Sequence, residues 1–485
     1  MDSELIKILE NVLGDRISFS ESVRNNYSKG EDAYDPVLPE AVIFPKDNEE
    51  ISKILAACNK YKIPITAYGT GTSLEGHVVG NSNGITLSLE HFNRVISVNA
   101  EDFDCRVQAN VTREQLNEFL KDKGVFFPID PGANAALGGM AACSASGTMA
   151  VMYGTMRTAV LGLTVVMANG DIVKTGTRAK KTSAGYNLTN LFVGSEGTLG
   201  IITEVQLRLT PIPENIMSAV CQFQDLESAV LTAQEIIQYG ASVARIELLN
   251  KDQMDISIKY SNLERMESLP TLFYEFHGSE ITNKESINVV EDISKNNGGS
   301  EFRWAATTEE RNKIWKARHN VYYSVKAQGD DVRVYATDVC VPISKLVECI
   351  QFAESEIQNN GLKAPMVGHV GDGNFHVTIV YDPKKENEYK YIRDFSNKLI
   401  DKALELEGTI TGEHGIGLQK KDYLLKQHPD NIPLMKIIKK NFDPNNISTT
   451  GSILMDYYDE SIELLYKVNY NFEKFKKRYK IDVNK

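Results

Sequence analysis

The chain has 485 residues, more than one hydrophobic core usually organises, which predicts two or three domains. Apolar residues make up 42% of the sequence and charged residues 24%, as is typical of a soluble globular enzyme. The formal net charge is −12. A general nucleic-acid-binding protein, or one that adsorbs electrostatically to anionic lipid, needs a basic face, so this charge argues against both classes.

Six cysteines are scattered along the chain without a CxxC pair. This spacing argues against an iron–sulfur cluster or a structural zinc site within the chain, and unpaired cysteines are typical of a reducing compartment. Residues 1–10 are amphipathic and acidic, unlike a secretion signal, and no apolar stretch approaches the roughly 18 residues that span a bilayer. We predict a cytoplasmic protein and leave a peripheral membrane role open.

The N-terminal part of the chain alternates helix and strand patterns. Residues 1–40 predict a leading helix followed by a polar segment. Residues 41–44 and 63–67 predict strands, and residues 48–60 have the apolar periodicity of a helix with one buried face. A glycine-rich loop follows over residues 69–76.

A change in composition marks a predicted domain boundary at Pro211–Pro213. Residues 127–205 are dense in Gly, Ala, Ser and Thr, whereas the chain beyond the boundary is rich in Glu, Lys and Ile. We therefore predict an N-terminal domain over residues 1–213 and a second domain over residues 214–455. The basic, aromatic-rich residues 456–485 form a tail that we expect to pack on the body as a helix.

The loop Gly69-Thr-Gly-Thr-Ser-Leu-Glu-Gly76 follows a predicted strand. Leu74 stands where the third glycine of a GxGxxG motif would be, which disfavours a Rossmann-type nicotinamide site. Small residues in such a loop still let backbone N–H groups approach a pyrophosphate. A loop that binds nothing would look similar, so this loop alone leaves both interpretations open.

Two further stretches of small residues favour a cofactor groove. Pro131–Gly147 carries small side chains over most of its length, and Gly194–Gly200 repeats the pattern before another predicted strand. Small residues over so many positions indicate that something large packs against the backbone. Tight internal packing would explain any one of these stretches, but three of them in one domain predict a long, multi-part cofactor groove.

These segments, together with Tyr153-Gly-Thr-Met-Arg157 and Lys181-Thr-Ser-Ala-Gly-Tyr186, resemble the FAD-binding domain of the vanillyl-alcohol-oxidase/p-cresol-methylhydroxylase (PCMH) superfamily. The similarity is greatest to its branch of D-lactate dehydrogenases and glycolate oxidase FAD subunits, and it runs from about residue 40 to about residue 455. It implies an α+β fold: a two-lobed PCMH-type FAD-binding domain, an α+β substrate (cap) domain, and a C-terminal helical segment that returns to the flavin.

The resemblance also implies which residues hold FAD, with the first glycine loop around the pyrophosphate. Thr72 stands where relatives with covalent flavin often have a histidine, and His77 lies beyond the loop, so we expect non-covalent FAD. The implied FAD-binding residues are Gly69, Thr70, Gly71, Thr72, Ser73, Pro131, Gly138, Gly139, Cys143, Ser146, Gly147, Tyr153, Glu196, Gly200 and Ile202.

Three of the eight histidines lie in two glycine-framed motifs. His369 and His376 flank the turn signal Asp372-Gly373, and a turn between them can bring both imidazoles together. Glu413 and His414 are adjacent in a second glycine-rich segment. Two imidazoles and a carboxylate with an open coordination position make a catalytic-type metal site, and this donor set does not decide between zinc, manganese and iron.

This constellation suits the oxidation of a 2-hydroxy acid. Neighbouring side chains tend to point in different directions, so Glu413 can bind the metal while His414 faces the substrate. The metal would bind the hydroxyl and carboxylate and lower the pKa of the alcohol, His414 would take the proton, and hydride would pass from Cα to flavin N5. The alternative is that the histidines only cap turns in the core, which fits a lone histidine better than this grouping.

The resemblance implies the same metal ligands, His369, His376 and Glu413, and the same base, His414. It further implies that Arg318 clamps the substrate carboxylate, a task that a guanidinium fork suits. The sequence alone is also compatible with Arg318 as a solvated charge on a helix.

Two positions depart from relatives that act on D-2-hydroxyglutarate. Ala336 and Thr378 stand where those relatives have a lysine and an asparagine, which predicts a substrate with one carboxylate. Residues 449–452 read Thr-Thr-Gly-Ser where relatives tend to have Asn-Pro-Gly-Lys, and this puts a polar contact near the flavin in doubt.

We therefore predict an FAD- and metal-dependent dehydrogenase of D-2-hydroxy monocarboxylic acids, foremost D-lactate. Its electrons would leave to an external quinone, cytochrome, electron-transferring flavoprotein or iron–sulfur subunit. Alternatives are the FAD subunit of a glycolate oxidase complex, a flavoprotein electron-transfer subunit without its own substrate, and the FAD-dependent alkylglycerone-phosphate synthase. We expect no nucleic-acid partner; a homodimer is compatible with the sequence, which does not specify the oligomeric state.

Overall fold

The computed structural model describes residues 1–448 except 264–265, 306, 330–331 and 362–363. The predicted tail and the Thr-Thr-Gly-Ser segment lie outside the described residues. Within them, helices and sheets form two lobes with separate hydrophobic cores, which meet along a cleft. The predicted α+β class is therefore confirmed.

The N-terminal lobe begins with a small sheet flanked by helices. Its elements are α1 (Ser3–Leu13), β1 (Ile17–Ser18), α2 (Glu21–Asn26), β2 (Ala41–Ile43), α3 (Asn48–Tyr61), β3 (Ile65–Tyr68) and β4 (Ile85–Ser88). The strands lie in the order β1-β2-β4-β3, with β4 parallel to both β2 and β3. Helix α3 begins after Asp47, whose carboxylate accepts a hydrogen bond from the Glu50 N–H, and it buries its predicted apolar face. The connection after β3 is the first glycine-rich loop.

A second sheet completes the N-terminal lobe. Its elements are β5 (Val95–Asn99), β6 (Asp104–Gln108), α4 (Arg113–Leu120), β7 (Val125–Phe126), α5 (Leu137–Cys143), α6 (Ala150–Tyr153), α7 (Met156–Ala159), β8 (Val160–Val166), β9 (Ile172–Gly176), α8 (Leu188–Phe192), β10 (Ile201–Arg208) and β11 (Thr210–Pro211). Antiparallel pairing gives the order β5-β6-β10-β8-β9, and β7 pairs with β11. Helix α5 packs so closely that a Cβ on Gly138 would lie 2.5 Å from the Cβ of Ala109.

The C-terminal lobe is built on one large sheet, whose strands differ in length and which is covered by helices. Its elements are β12 (Asn215–Gln222), α9 (Leu226–Tyr239), β13 (Arg245–Leu249), α10 (Lys251–Ser261), β14 (Thr271–Gly278), α11 (Glu280–Asn296), β15 (Arg303–Trp304), α12 (Thr308–His319), α13 (Val321–Lys326), β16 (Arg333–Ala336), β17 (Val339–Cys340), α14 (Leu346–Asn359), β18 (Met366–His369), β19 (Asn374–Tyr381), α15 (Glu386–Glu405), α16 (Lys421–Gln427) and α17 (Ile432–Phe442). The strand order is β15-β12-β14-β13-β18-β19-β16, and β17 also pairs with β19.

The chain returns to the N-terminal lobe through α17 and the residues after it. Lys439 Nζ donates to the Thr198 carbonyl at 2.7 Å, and the Ile65 N–H donates to the Ile447 carbonyl at 2.7 Å. Phe442 packs against Phe192 in the core beneath the second sheet. No helix within the described ranges is long and apolar enough to cross a membrane.

A buried carboxylate links the two lobes. Asp130 of the N-terminal lobe lies 3.4 Å from the Arg245 guanidinium and 3.5 Å from the His319 imidazole of the C-terminal lobe. Within its own lobe it accepts hydrogen bonds from the Thr148 hydroxyl and the Met149 N–H. Burial raises the pKa of Asp130, but Arg245, His319 and the hydroxyl outweigh it and hold the pKa below its usual range.

We expect Asp130→Asn to lower the free energy of unfolding by about 3 kcal/mol, because it removes one charge from a buried ion pair without changing its shape. The folded-state pKa is depressed, so this contribution is present above the unfolded pKa of about 3.9 and is lost as the pH falls through the folded-state pKa. The difference between variant and wild type should therefore shrink in acid. Urea unfolding followed by tryptophan fluorescence measures it, since Trp315 lies under Arg245.

The matched control is Asp102→Asn, which removes an exposed carboxylate paired with Arg178. Exposed pairs contribute little, so a change below about 0.5 kcal/mol is expected. Equal stability losses in the two variants would contradict the interlobe role of Asp130.

Candidate active site

A cavity between the two lobes collects most of the predicted site residues. We call it the interlobe cavity; it is lined by the first glycine loop, by α5 and the residues flanking it, and by side chains of α12, β16, β18, β19 and the 413–414 segment. The residues predicted to bind FAD that line it are Gly69, Thr70, Gly71, Thr72, Ser73, Pro131, Gly138, Gly139, Cys143, Ser146, Glu196, Gly200 and Ile202.

The small residues leave the cavity wall free for a large ligand. A Cβ on Gly132 or Gly139 would meet no protein atom within 4 Å, although both glycines line the cavity. The residues beside them are mostly small, so a dinucleotide cofactor can approach the backbone and its N–H donors closely. These residues therefore fit a bound FAD.

The structure does not bring two of the predicted FAD-binding residues to the cavity wall. Tyr153 instead hydrogen-bonds His277 Nδ1 of the other lobe at 2.7 Å. Gly147 packs against Asp130, where a Cβ would lie 2.4 Å from the carbonyl carbon, so its missing side chain serves internal packing. Both assignments stay predictions, and neither position favours them.

The three predicted metal ligands converge on one point. His369 ends β18 and His376 lies in β19, and the antiparallel register places them as diagonal neighbours on one face of the hairpin. Their Nε2 atoms lie 3.1 Å and 3.3 Å from the same oxygen, Oε1 of Glu413. The hairpin turn needs glycine at Gly373, whose φ is +79° and whose Cβ would lie 2.1 Å from the Val341 carbonyl.

The donor set fits a divalent cation. The ligand atoms of His369, His376 and Glu413 all lie within 4.8 Å of one another, and Oε2 of Glu413 is buried without a hydrogen-bond partner among the described residues. Burial raises the pKa of Glu413, but the two imidazoles outweigh it and hold that pKa well below its usual range. An ionised carboxylate beside two imidazole nitrogens provides three ligands for a cation and leaves a coordination position open.

A hydrogen bond to Nδ1 orients each of the two clustered imidazoles, those of His369 and His376. His369 Nδ1 lies 2.8 Å from Glu247 Oε1, and His376 Nδ1 lies 3.0 Å from the Thr337 carbonyl. These partners favour the proton on Nδ1 of both rings, so that Nε2 can bind a metal. Burial lowers the pKa of His376, which favours its neutral form. For His369 burial also lowers the pKa, but Glu247 and Glu413 raise it well above its usual range.

His414 lines the same cavity beside the metal ligands. Its ring stacks on that of His376 with centroids 4.8 Å apart and planes 8° apart. The Asp338 carboxylate accepts hydrogen bonds from the backbone N–H groups of residues 412, 413 and 414, and this wraps the segment so that Glu413 and His414 point differently. The predicted division between a ligand and a base is thus sterically available.

Arg318 is buried, with 6% of its surface exposed, so the interpretation as a solvated helix charge is wrong. It lies near the end of α12, contacts the Glu247 carboxylate through its guanidinium, and lines the interlobe cavity. Its Nε has no hydrogen-bond partner among the described residues, which leaves donor capacity for an anionic ligand.

Several site residues escaped the sequence analysis. Glu247 touches both His369 and Arg318, and its signal was a lone acidic residue inside the otherwise apolar run Ile246–Leu249. Glu75 and Lys420 form an ion pair of 2.8 Å behind His414. Nothing in the local pattern distinguishes these two charges from surface residues, because the partner of each lies in the other lobe.

The chain matches two protein families. Residues 212–453 match the family described as FAD linked oxidases, C-terminal domain, and residues 39–176 match the FAD binding domain family. A solved structure of p-cresol methylhydroxylase with substrate bound superposes with a TM-score of 0.76 at 18% identity, covering 92% of this chain and 96% of that one. At this identity the superposition shows the shared fold.

Two curated relatives are similar along most of the chain. One is the probable mitochondrial D-lactate dehydrogenase of Danio rerio, 45% identical over 455 residues, which are 93% of this chain and 91% of that protein. The other is the mitochondrial D-lactate dehydrogenase (cytochrome) of Arabidopsis thaliana, 39% identical over 454 residues, which are 93% of this chain and 80% of that protein. Because both names specify mitochondria, a cytoplasmic location for this chain stays a prediction.

The coverage, the identity and the two family matches together establish the predicted membership: the chain belongs to the FAD-linked oxidases of the vanillyl-alcohol-oxidase/PCMH superfamily and is an FAD-dependent oxidoreductase.

Proposed function

We propose that this enzyme oxidises D-2-hydroxy monocarboxylic acids, with D-lactate to pyruvate as its principal reaction, assisted by a divalent metal. One observation carries the proposal: the cluster of His369, His376 and Glu413, together with His414 and Arg318, lines the same cavity as the FAD-binding glycine loops. The names of the two relatives support D-lactate as the substrate.

When bound, FAD supplies a two-electron acceptor and a zinc, manganese or iron ion supplies a Lewis acid. The protein side chains position the substrate. Arg318 would bind the carboxylate, and His369, His376 and Glu413 would hold the ion. His414 would remove the hydroxyl proton as the carbonyl forms, while the Cα hydrogen leaves with its electron pair to the two-electron acceptor.

The pocket composition favours a single carboxylate. Ala336 and Thr378 are directly opposed on β16 and β19, and both line the interlobe cavity. Neither can pair with a second carboxylate as a lysine and an asparagine can. The proposal includes a domain boundary near residue 213. It also includes a separate, external electron acceptor, and the name of the Arabidopsis relative makes a cytochrome the first acceptor to test.

We expect D-2-hydroxy monocarboxylic acids to reduce, and so bleach, the flavin of the purified holoenzyme under anaerobic conditions. D-lactate should reduce the flavin fastest and glycolate more slowly, whereas L-lactate and D-2-hydroxyglutarate should reduce it little, since one presents the wrong stereochemistry and the other an unpaired carboxylate. Flavin absorbance in a stopped-flow instrument measures this. If no 2-hydroxy acid reduces the flavin even with added zinc, manganese or iron, the proposed function fails.

Two controls separate the roles of metal and flavin in that experiment. A chelator, or His369→Ala, should abolish reduction by substrate while the flavin stays bound. His91→Ala removes a partly exposed histidine that lies outside the cavity and should leave reduction unchanged.

We expect Glu247→Gln to weaken metal binding about 10- to 100-fold, because the hydrogen bond that orients His369 loses its charged acceptor. Metal titration of the chelated protein by calorimetry measures the affinity. Glu275→Gln is a matched control, since Glu275 is a buried carboxylate on the neighbouring strand β14 that pairs with Arg245 and His277 instead. Equal affinities in Glu247→Gln and wild type would contradict the orienting role.

We expect the double substitution Ala336→Lys with Thr378→Asn to shift kcat/KM toward D-2-hydroxyglutarate relative to D-lactate by about 10-fold, the equivalent of about 1.4 kcal/mol. The lysine would supply a charged partner for the second carboxylate inside the cavity. Steady-state kinetics with both acids measure the ratio. A parallel loss for both acids, with the ratio unchanged, would show that these positions do not face the substrate side chain.

A further inference from the structure

Glu75 is a buried carboxylate of the N-terminal lobe that reaches the catalytic segment of the other lobe. It lies in the first glycine-rich loop, and it is fully buried, with 0% of its surface exposed. Its Oε1 lies 3.3 Å from His414 Nδ1 and 2.8 Å from Lys420 Nζ. Glu75 has no role in the reaction proposed above.

The His414 ring has only limited freedom of orientation. One face stacks on His376, and the backbone N–H of His414 donates to Asp338. Its Nδ1 is buried, and the carboxylate oxygens that approach it are those of Glu75 at 3.3 Å and Asp338 at 4.0 Å. An N–H on Nδ1 facing these carboxylates would leave Nε2 with the lone pair that a base requires.

Lys420 is a buried cation that lies between the two carboxylates. It is 3% exposed, and its Nζ lies 2.8 Å from Glu75 and 3.5 Å from Asp338. Burial raises the pKa of Glu75, but Lys420 outweighs it and leaves that pKa below its usual range. Two carboxylates and one ammonium leave one net negative charge behind the ring, which would stabilise the imidazolium that forms when His414 accepts a proton.

The backbone holds this arrangement in register across the lobes. The Leu418 N–H donates to the Glu75 carbonyl at 2.7 Å. Gly417 lies so close that a Cβ would be 2.1 Å from the same carbonyl oxygen, and its φ of +49° also favours glycine. The loop that carries Glu75 is therefore fixed against the segment that carries His414.

We propose that Glu75 is a positioning residue, whose carboxylate holds His414 with its proton on Nδ1 and its Nε2 toward the interlobe cavity. The inference rests on the proposed function, in which His414 is the base. It assigns to the FAD-binding lobe a part in proton transfer as well as in cofactor binding.

The test compares Glu75→Gln with wild-type holoenzyme. The limiting rate of flavin reduction by D-lactate should fall about 10- to 100-fold, because a weakly held base loses part of the 10²- to 10⁴-fold that general-base catalysis contributes. The dissociation constant of the substrate should change less than about threefold, since Arg318 and the metal ligands are untouched. Glu204→Gln, which removes a carboxylate paired with Arg106 elsewhere in the same lobe, is the matched control and should behave as wild type.

A second readout does not depend on turnover. With only eight histidines, ¹⁵N-histidine labelling resolves the ring nitrogens, and His414→Ala assigns the His414 signals. Wild type should show the Nδ1-protonated form, and Glu75→Gln a mixture of tautomers. If Glu75→Gln leaves both the tautomer and the reduction rate within twofold of wild type, the proposal is overturned.

A double-mutant cycle distinguishes positioning from general destabilisation. If Glu75 acts through His414, then Glu75→Gln should have no further effect in the His414→Ala background. An additive loss there would overturn the proposal. The failure of the proposed function is recognised separately, because wild-type flavin would then not be reduced by any 2-hydroxy acid, whereas the tautomer measurement would still report on Glu75.

Discussion

The arrangement of the active site depends on the buried carboxylate of Asp338. One of its oxygens accepts hydrogen bonds from three consecutive backbone N–H groups and from the Thr411 hydroxyl, and the other accepts from the Asn374 side chain. Burial raises the pKa of Asp338, but the charges of His414, Lys420 and His376, with the Thr411 hydroxyl, outweigh it and hold that pKa well below its usual range. Because the 411–414 segment is wrapped around it, Glu413 is aimed at the two imidazoles and His414 at the cavity.

The second constraint is the contact of this segment with the FAD-binding lobe. Glu196, in the third small-residue stretch, accepts hydrogen bonds from the backbone N–H groups of Ile416 and Gly417 at 2.7 Å and 2.9 Å. His77 lies 3.1 Å from Glu196 and faces Gly415, where a Cβ would not fit. The proposed metal ligands and the residues that line the FAD groove are thus held at a defined separation, which the proposed hydride transfer would require.

The charges around the cluster are compensated pairwise rather than exposed to solvent. Glu247 lies between His369 and Arg318, Glu413 between His369 and His376, and Lys420 between Glu75 and Asp338. Burying an ionised group costs free energy unless the group has charged partners. This network of alternating charges therefore fixes side-chain orientation more than it adds stability. One residue, Glu247, connects Arg318, the proposed clamp of the substrate carboxylate, to His369, a proposed metal ligand.

The sequence by itself determined the local features. The apolar pattern of residues 48–60 predicted α3, the small-residue stretches predicted the cofactor groove, and the turn at Asp372-Gly373 predicted that His369 and His376 come together. Each of these follows from periodicity, turn chemistry or side-chain size, which act over a few residues. The family resemblance, which the comparisons confirm, extended them to FAD and to the α+β fold.

Only the tertiary structure decided which charges meet. In the folded structure Tyr153 and Gly147 lie away from the cavity wall, and Arg318 is buried. Glu75, Glu247 and Lys420 come from distant parts of the chain and lie beside the proposed site residues. A buried ion pair leaves no periodic trace in a sequence, because its energy depends on a partner hundreds of residues away and on the exclusion of water from both. The residue types that can perform the chemistry can therefore be recognised in the sequence. The charge network that orients them forms only in the folded structure, where the two lobes contact each other.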